Sequence, residues 1–507
     1  MTRICERFAF ILATVAASIS IAFGQQSSQS EDLRSEFVTR TGTSLQLSGK
    51  PFRYSGPNIE WLGLEAYGPH DPIGPRYPSH FEVDDVLDTA KEMGARVVRS
   101  QTLGDSVGCD LCIEPRLGVF NPEAFHSIDY AIKAAHDRGI RLIVTFAGDC
   151  ATCALSGPGE YLEWTHQRDF KAFFTDPTVI AAFEKHVAAV LNHKNALTGV
   201  PYKDDPTILA WENCNMCGLG VVWTSPSKNL TPYLPWVDIV GKFIKSVDAR
   251  HLYLDTTGFF RYDKRALDAK TPDLITFEYY PHWDALVSTG QKTTAQTFSR
   301  DAAEVTGHGK VYIINEFGWD VTDWSTRDDL QAVLHTLETD PNTSGDDYWA
   351  LQAHVDNFGW QPIPANVSNA VYAQKGESGH WWALHYGGLN TLVNTSDDMR
   401  ARAEQLRTHA YAMAGIPIPP HMVPPAPVIT TKGLGFIGWR GSAGAVSYSV
   451  QRQVGESGNW ETICDKCATD ADTPWPDPKP AATLFGVKYR VIAYNADGTP
   501  SVPSAAR

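Results

Sequence analysis

The sequence predicts an α/β chain: a (β/α)8 TIM barrel followed by a small all-β, immunoglobulin-like sandwich. Three observations carry this. From residue 50 onward, short β-rich runs alternate with helical patterns. Eight such runs occur before residue 352. A Pro-dense stretch then precedes about 80 residues of turn-separated strands. Strands alternating with helices imply a parallel sheet, and eight units close it into a barrel. A doubly wound open sheet is the alternative, but no Gly-rich phosphate loop follows the first strand.

The expected strands are Phe52–Gly56, Ala95–Ser100, Arg141–Phe146, Thr207–Glu212, Leu252–Thr256, Leu274–Glu278, Val311–Asn315 and Asp347–Leu351. Helices fall between them, at Asp84–Met93, Pro122–Arg138 and Thr178–Asn192. In the last of these Val179, Ile180, Phe183, Val187, Val190 and Leu191 recur with a helical period. A final helix spans Ser396–Ala414. Residues 416–426 hold Pro417, Pro419, Pro420, Pro424 and Pro425, and such density makes an extended, semi-rigid spacer between residues 35–415 and residues 427–507. Beyond it, strands are expected at Gly435–Trp439, Val446–Gln453, Trp460–Ile463 and Lys488–Ala493. The pattern Trp439…Tyr448-Ser449-Val450…Tyr489-Arg490-Val491-Ile492-Ala493-Tyr494-Asn495 resembles a fibronectin type III domain.

The chain has 507 residues, of which 43% are hydrophobic and 20% charged, enough for a full core in two or three domains. A formal charge of −15 argues against a nucleic-acid backbone or an anionic membrane as partner. Arg3 and Arg7 precede an apolar run, Phe8–Phe23, that ends in small residues. This reads as a secretory signal peptide over residues 1–24, with an uncleaved anchor as the alternative. The mature chain is then secreted (periplasmic if the source is bacterial), off the membrane and a monomer. Eight cysteines remain beyond Cys5, as four Cys-x-x-Cys pairs: Cys109/Cys112, Cys150/Cys153, Cys214/Cys217 and Cys464/Cys467. In an exported chain these read first as local disulfides, and then as cross-paired disulfides or a zinc site. No metal or cofactor is otherwise expected.

In a barrel the active site lies at the C-terminal strand ends. The seventh strand ends Asn315-Glu316-Phe317-Gly318-Trp319, and a carboxylate beside aromatics suits a sugar-site nucleophile or a buried structural Glu. The sixth ends Glu278-Tyr279-Tyr280-Pro281-His282-Trp283. The second ends at Arg99, whose guanidinium can hold a carboxylate ionised and oriented. The eighth presents Tyr348-Trp349, a candidate stacking platform. His282, His354, His380 and Trp381-Trp382 are candidates for subsites or for ordinary packing.

With Gly56-Pro57-Asn58-Ile59-Glu60-Trp61, Phe170–Asp176, Asn195-Ala196-Leu197-Thr198-Gly199 and Tyr202–Glu212, the chain resembles glycoside hydrolase family 5, in its β-mannanase branch. The resemblance implies retaining hydrolysis of β-mannosidic links by two Glu. Glu316 matches the nucleophile, Arg99 and Tyr280 its supports, Asn215 the residue that bonds the sugar 2-hydroxyl, and Trp349 the sugar platform. Trp61 and His282 join them as substrate-binding candidates. One departure stands out. The family's fourth strand ends Trp-Glu-x-x-Asn-Glu, the last Glu being the acid/base; here Trp211-Glu212-Asn213-Cys214-Asn215 is followed by Met216. A thioether cannot donate a proton, and general acid–base help is worth roughly 10²–10⁴-fold. Glu212, four residues earlier, would lie about 13 Å deeper.

Glu278, where the family has His, is a candidate for the relocated acid, since a carboxylate on the next strand would be about 4.8 Å from the nucleophile's strand. A structural or sugar-binding Glu278 is the other reading, and Asp149 is a weaker third acid. The expected activity is therefore endo-1,4-β-mannosidase-like cleavage of β-mannan or a related β-linked polysaccharide. A catalytically impaired carbohydrate-binding protein, a glycosidase of other β-glycan specificity and a zinc enzyme are the rivals.

Overall fold

The computed structural model describes residues 34–65, 75–148, 157–218, 234–258, 264–280, 293–318, 327–357, 359, 384–388, 395–455, 458–470, 474–478, 480 and 486–507. The segment expected to be a signal peptide lies outside these residues. So do Asp149, Cys150, Cys153, His282, His380 and Trp381-Trp382. Among the described residues, no helix is long and apolar enough to cross a membrane.

A short antiparallel meander, β1 Val38–Thr41, β2 Ser44–Leu47 and β3 Lys50–Pro51, opens the described chain. The barrel strands follow: β4 Tyr54–Pro57, β5 Val97–Ser100, β6 Arg141–Thr145, β7 Ile208–Glu212, β8 Leu252–Asp255, β9 Leu274–Ile275 with β10 Glu278–Tyr279, β11 Val311–Gly318 and β12 Thr343–Trp349. All eight sequence-predicted strands are present. They pair in parallel in the order β4-β12-β11-β9-β8-β7-β6-β5. The ring closes where Asn58 bridges Arg99 and the Ile59 N–H donates to the Arg99 carbonyl at 2.9 Å. Gly56 permits this closure, since a Cβ there would lie 1.8 Å from the Val97 carbonyl oxygen.

One apolar cluster, including Val97, Ile143, Leu209, Leu254, Leu274, Val311 and Ile313, packs with Leu45, Leu47 and Phe52 of the N-terminal meander. A larger cluster packs the barrel against its helices. Those helices start where the chemistry of capping dictates. Ser79 and Glu82 cap His80–Glu92 reciprocally, and Asp176 accepts from the Thr178 and Val179 N–H groups to start Pro177–Asn192.

Two strands depart from the sequence reading. The eighth begins at Thr343, ahead of the expected Asp347, although Thr343-Ser344-Gly345-Asp346 carries no apolar side chain. Hydrogen bonds supply what apolarity does not: Ser55 Oγ donates to Asp346 Oδ1 at 2.7 Å, and His409 Nε2 lies 2.9 Å from Asp346 Oδ2. The sixth is split at Thr276-Phe277, where Thr276 Oγ1 instead bonds Asn315 Oδ1 at 2.9 Å.

The C-terminal part holds β13 Val428–Gly433, β14 Phe436–Arg440, β15 Ser447–Val454, β16 Glu461–Ala468, β17 Trp475–Pro476 and β18 Val487–Tyr494. They form two three-stranded antiparallel sheets, β13-β14-β17 and β16-β15-β18, over one cluster that includes Ile437, Trp439, Tyr448, Val450, Tyr489 and Val491. Strands β13 and β17 were not legible in the sequence: the first is Thr-rich and half-buried, the second two residues long. The Pro-rich stretch carries neither helix nor strand, and it is tied down on both sides. His421 Nδ1 and the Met422 N–H reach Glu92 at 2.6 and 2.8 Å, and Asn495 Nδ2 donates to the carbonyls of both residues.

Closure at Gly56 predicts that Gly56→Ala destabilises the barrel by about 2–4 kcal/mol, because the added methyl must push apart backbone rather than a flexible side chain. Urea unfolding followed by tryptophan fluorescence measures it; a loss within 0.5 kcal/mol, as an order-of-magnitude bound, would show the β4–β5 contact to be looser than described.

Candidate active site

The barrel's C-terminal end is organised by Arg99, which has no solvent exposure. Its Nε and Nη2 donate to the two oxygens of Glu212, each at 2.7 Å. Nη1 donates to Asn58 Oδ1 at 2.9 Å and to Glu316 Oε2 at 2.8 Å, and Nη2 also donates to Asn215 Oδ1 at 2.6 Å. Burial alone would lower the guanidinium's pKa; Glu212 outweighs it, with Glu316 and Glu278 adding to the effect, and the net direction is upward. Arg99 is thus a permanent cation held by charge-assisted bonds.

Glu212 is equally buried. It also accepts from Thr145 Oγ1 and Thr256 Oγ1 at 2.7 Å, and from Asn315 Nδ2 at 3.3 Å. With its oxygens so engaged, it is a fixed partner of Arg99. Glu316 differs. Oε2 takes the Arg99 bond, Oε1 takes the Tyr280 hydroxyl, and the residue keeps 5% exposure. Burial pushes its carboxyl pKa above the ordinary value, against the opposing pull of Arg99 and Tyr280. A register shift in the β11–β12 pairing between Ile314 and Phe317 lets both Asn315 and Glu316 turn inward, breaking strand alternation.

Glu278 is the register partner of Glu316 on the adjacent parallel strand β10, so their Cα atoms face each other directly. It is 3% exposed. The structure therefore brings Arg99, Asn215, Tyr280, Glu278 and Glu316 together. Trp349 packs with Tyr280 and Ala350 at the same end. Trp61 is not brought there: its ring belongs to the large core between barrel and helices. His354 is buried between two aspartates away from this centre, and His282 lies outside the described residues.

Met216 adopts a left-handed backbone, with φ of 43°, inside a loop closed by the Cys214–Cys217 disulfide. The Asn215 N–H in the same loop donates to the Ala147 carbonyl at 2.7 Å. Cys109–Cys112 and Cys464–Cys467 are likewise joined locally, with Cα separations of 5.0 and 5.4 Å. Among the described residues, no group of three or more His, Cys, Asp or Glu is placed to hold a metal ion.

Sequence reasoning missed Asn58, which receives Arg99 and donates from Nδ2 to the Asn315 carbonyl at 3.0 Å, and the hydroxyls of Thr145 and Thr256 around Glu212. Inward alternation along β6 and β7 was the signal available for Thr145 and Glu212.

Residues 35–266 match the GH family 5 beta-mannosidase-like family. That segment runs through β8 and includes Arg99, Glu212, Asn215 and Met216, but not Glu278, Tyr280, Glu316 or Trp349. Mannan endo-1,4-beta-mannosidase 3 of Arabidopsis thaliana is 31% identical over 256 residues, covering 49% of this chain and 56% of that protein. Mannan endo-1,4-beta-mannosidase 2 of Oryza sativa subsp. japonica is 32% identical over 250 residues, covering 48% and 52%. The chain thus spans about half the length of the curated relatives it matches. Among solved structures, the endo-1,4-beta-mannanase of Rhizomucor miehei aligns with a TM-score of 0.57 at 23% identity, over 75% of this chain and 99% of that one. The endo-beta-1,4-mannanase of Thermotoga petrophila aligns at 0.52 and 18% identity, over 90% and 98%. These likenesses establish the fold.

Two consequences are measurable. Replacing Arg99 by Met leaves Glu212 and Glu316 buried without their cation, so thermal unfolding should show a loss of about 3–5 kcal/mol. An unchanged melting temperature would refute the central role given to this ion pair. Non-reduced mass spectrometry should find Cys109, Cys112, Cys214, Cys217, Cys464 and Cys467 paired locally; a zinc ion bound with four thiolates would overturn the pairing.

Proposed function

We propose that the chain is an exported family 5 glycoside hydrolase, mannan endo-1,4-β-mannosidase-like, with Glu316 as nucleophile and Glu278 as acid/base. The observation that carries this reading is the Glu316 carboxylate at a strand end of the barrel, held by Arg99 and the Tyr280 hydroxyl with Glu278 in register beside it. Neighbouring strands stand about 4.8 Å apart, and retaining glycosidases keep their carboxyl groups about 5–5.5 Å apart. The match of residues 35–266 and the mannanase relatives support β-mannan as substrate. Residues 1–24 would be the signal peptide, residues 427–507 a fibronectin type III-like domain, and the working protein a secreted monomer.

In this mechanism Glu316 attacks the anomeric carbon as the glycosidic C–O bond breaks, and Glu278 gives its proton to the departing oxygen. Glu278 then takes a proton from water, whose oxygen displaces Glu316 and returns the sugar with its configuration retained. The charges favour such a division. Arg99 is already neutralised by Glu212, so Glu278 and Glu316 form a further negative pair. Like-charge repulsion raises one pKa of such a pair, so that one of the two carboxyls keeps its proton to higher pH than the other. Asn215 and Trp349 would bind the sugar hydroxyl and the sugar face.

Met216 favours a second reading, a protein that keeps the groove and binds β-glycan without cleaving it. The experiments separate the two. Glu316→Gln should abolish turnover with the fold intact. Glu278→Gln should slow polysaccharide far more than an aryl glycoside with an acidic leaving group, by about 10²-fold or more, with azide partly restoring the latter. Equal slowing of both substrates would remove Glu278 as the acid, and a wild-type protein inactive on polysaccharide would favour the binding protein. Because Glu316 must be ionised and its pKa lies above the ordinary value, the acid limb of kcat/KM should fall at a higher pH than the roughly 4.3 of a free Glu.

A further inference from the structure

His354 lies five residues beyond Trp349, where the chain leaves β12, and is 2% exposed. Its Nδ1 faces the two oxygens of Asp85 at 3.0 and 2.9 Å, and its Nε2 faces Asp470 Oδ2 at 3.0 Å. Its backbone N–H also donates to Asp85 Oδ2 at 2.9 Å. Asp85 belongs to the helix His80–Glu92 on the barrel, whereas Asp470 follows β16 in the C-terminal sheets. The next residues continue the contact. Thr430 Oγ1 donates to the Asn357 carbonyl at 2.6 Å, and Arg440 Nε donates to the Asp356 carbonyl at 2.9 Å. A Cβ on Gly441 would fall 2.1 Å from the His354 ring, and one on Gly359 would fall 2.0 Å from the Asp470 carbonyl oxygen. Backbone therefore meets the His354 ring at Gly441 and the Asp470 backbone at Gly359 at van der Waals range.

We infer that His354, seated between Asp85 and Asp470, is a positioning residue through which the C-terminal sheets hold the β12 rim, with Trp349, against the cleft. The rim is tied at its other end too. The Leu351 N–H donates to the carbonyl of Asn58, the residue whose side chain receives Arg99, at 3.0 Å. Loosening 354–359 thus leaves the stretch from Trp349 to Leu351 held by Asn58 and by Leu384, whose N–H donates to the Ala350 carbonyl at 2.8 Å, without the anchor beyond Gln352. The sheets act as a brace for the cleft wall, which a freely tethered spacer could not do.

The charges around His354 support this. Burial lowers its pKa, but Asp85 and Asp470 outweigh burial and lift it to about 10. The Tyr448 hydroxyl bonds Asp470 from β15. His385 also faces the group; burial, then the His354 charge and Arg402, hold His385 at about 3, hence neutral. A histidine with its folded pKa raised stabilises fully below its unfolded value of about 6.5, and that stabilisation is lost as pH rises through the folded value. The brace therefore holds through neutral pH and weakens toward pH 10.

The kinetic arm of the test rests on the proposed function; the exchange arm does not. In the full-length protein, Asp470→Asn should speed amide hydrogen exchange across residues 350–357 about tenfold or more while leaving β7 unchanged. It should raise KM for β-1,4-mannan about 3–10-fold, with kcat on a small aryl β-mannoside held within about twofold. Should Asp470→Asn not fold, Tyr448→Phe, which removes the hydroxyl bonded to Asp470, should show the same changes in smaller measure. Unchanged exchange across 350–357, equal acceleration there and in β7, or faster exchange with unchanged KM would each overturn the inference. A parent protein inactive on mannan would refute the proposed function, and the exchange result would then decide this inference alone.

Discussion

A guanidinium shut away from water persists in a folded protein only if carboxylates surround it with good geometry, because the desolvation of the cation has to be offset by its partners. Arg99 meets that condition through a bidentate bond to Glu212 and a further bond to Glu316. Asn58 and Asn215 take its remaining directions, and these residues come from β5, β7, β11 and the chain beyond β4 and β7. One side chain thus fixes the relative placement of strands from opposite sides of the barrel. Glu212 makes this arrangement rigid: with Arg99, Thr145, Thr256 and Asn315 around it, it has a single favourable orientation. Glu316 is then fixed in position by Arg99 and Tyr280 while keeping 5% exposure, where Glu212 and Arg99 keep none.

The fold was legible because its signal is periodic. Each barrel strand carries β-branched or aromatic residues at the strand spacing, and the helix Pro177–Asn192 shows an apolar stripe of helical period. What escaped the sequence reading depends on partners far along the chain. The buried polar start of β12 is stabilised by Ser55 and His409, which stand 291 and 63 residues away. Strand β17 is two residues of Trp-Pro that are strand-like only because β14 pairs with them. At the site, strand-end position located Glu316, Arg99 and Tyr280 without any knowledge of contacts. Trp61, four residues beyond β4, packs in the large apolar cluster that the barrel shares with its helices, a placement that strand-end position alone does not specify. His354 read as a subsite residue or as packing, and the two aspartates that settle it, Asp85 and Asp470, lie 269 residues before it and in a different sheet system.

The Cys214–Cys217 loop holds Met216 in an uncommon backbone conformation. A non-glycine residue with φ near 43° is strained, and its persistence means that the surroundings over-determine it. Here the loop is closed covalently at both ends and held in the middle by the Asn215 N–H on Ala147. Asn215 is thereby held against Arg99 by the loop's own backbone and its closure. The contacts that orient Glu316, from Arg99 and Tyr280, are thus separate from the side chain at 216.

That separation also bears on where the likeness to known proteins lies. The segment matching the GH family 5 beta-mannosidase-like family ends at residue 266, beyond β8 and before β9. It contains the scaffold of the site, Asn58, Arg99, Glu212 and Asn215, while the groups proposed to act on substrate, Glu278, Tyr280, Glu316 and Trp349, come from the part beyond it. Arg99 joins the two parts physically through its bond to Glu316. The part of the barrel that matches the family is therefore tied directly to Glu316 in the part beyond it. Beside Glu316 that part places Glu278, on the neighbouring strand, and the rim that continues beyond Trp349.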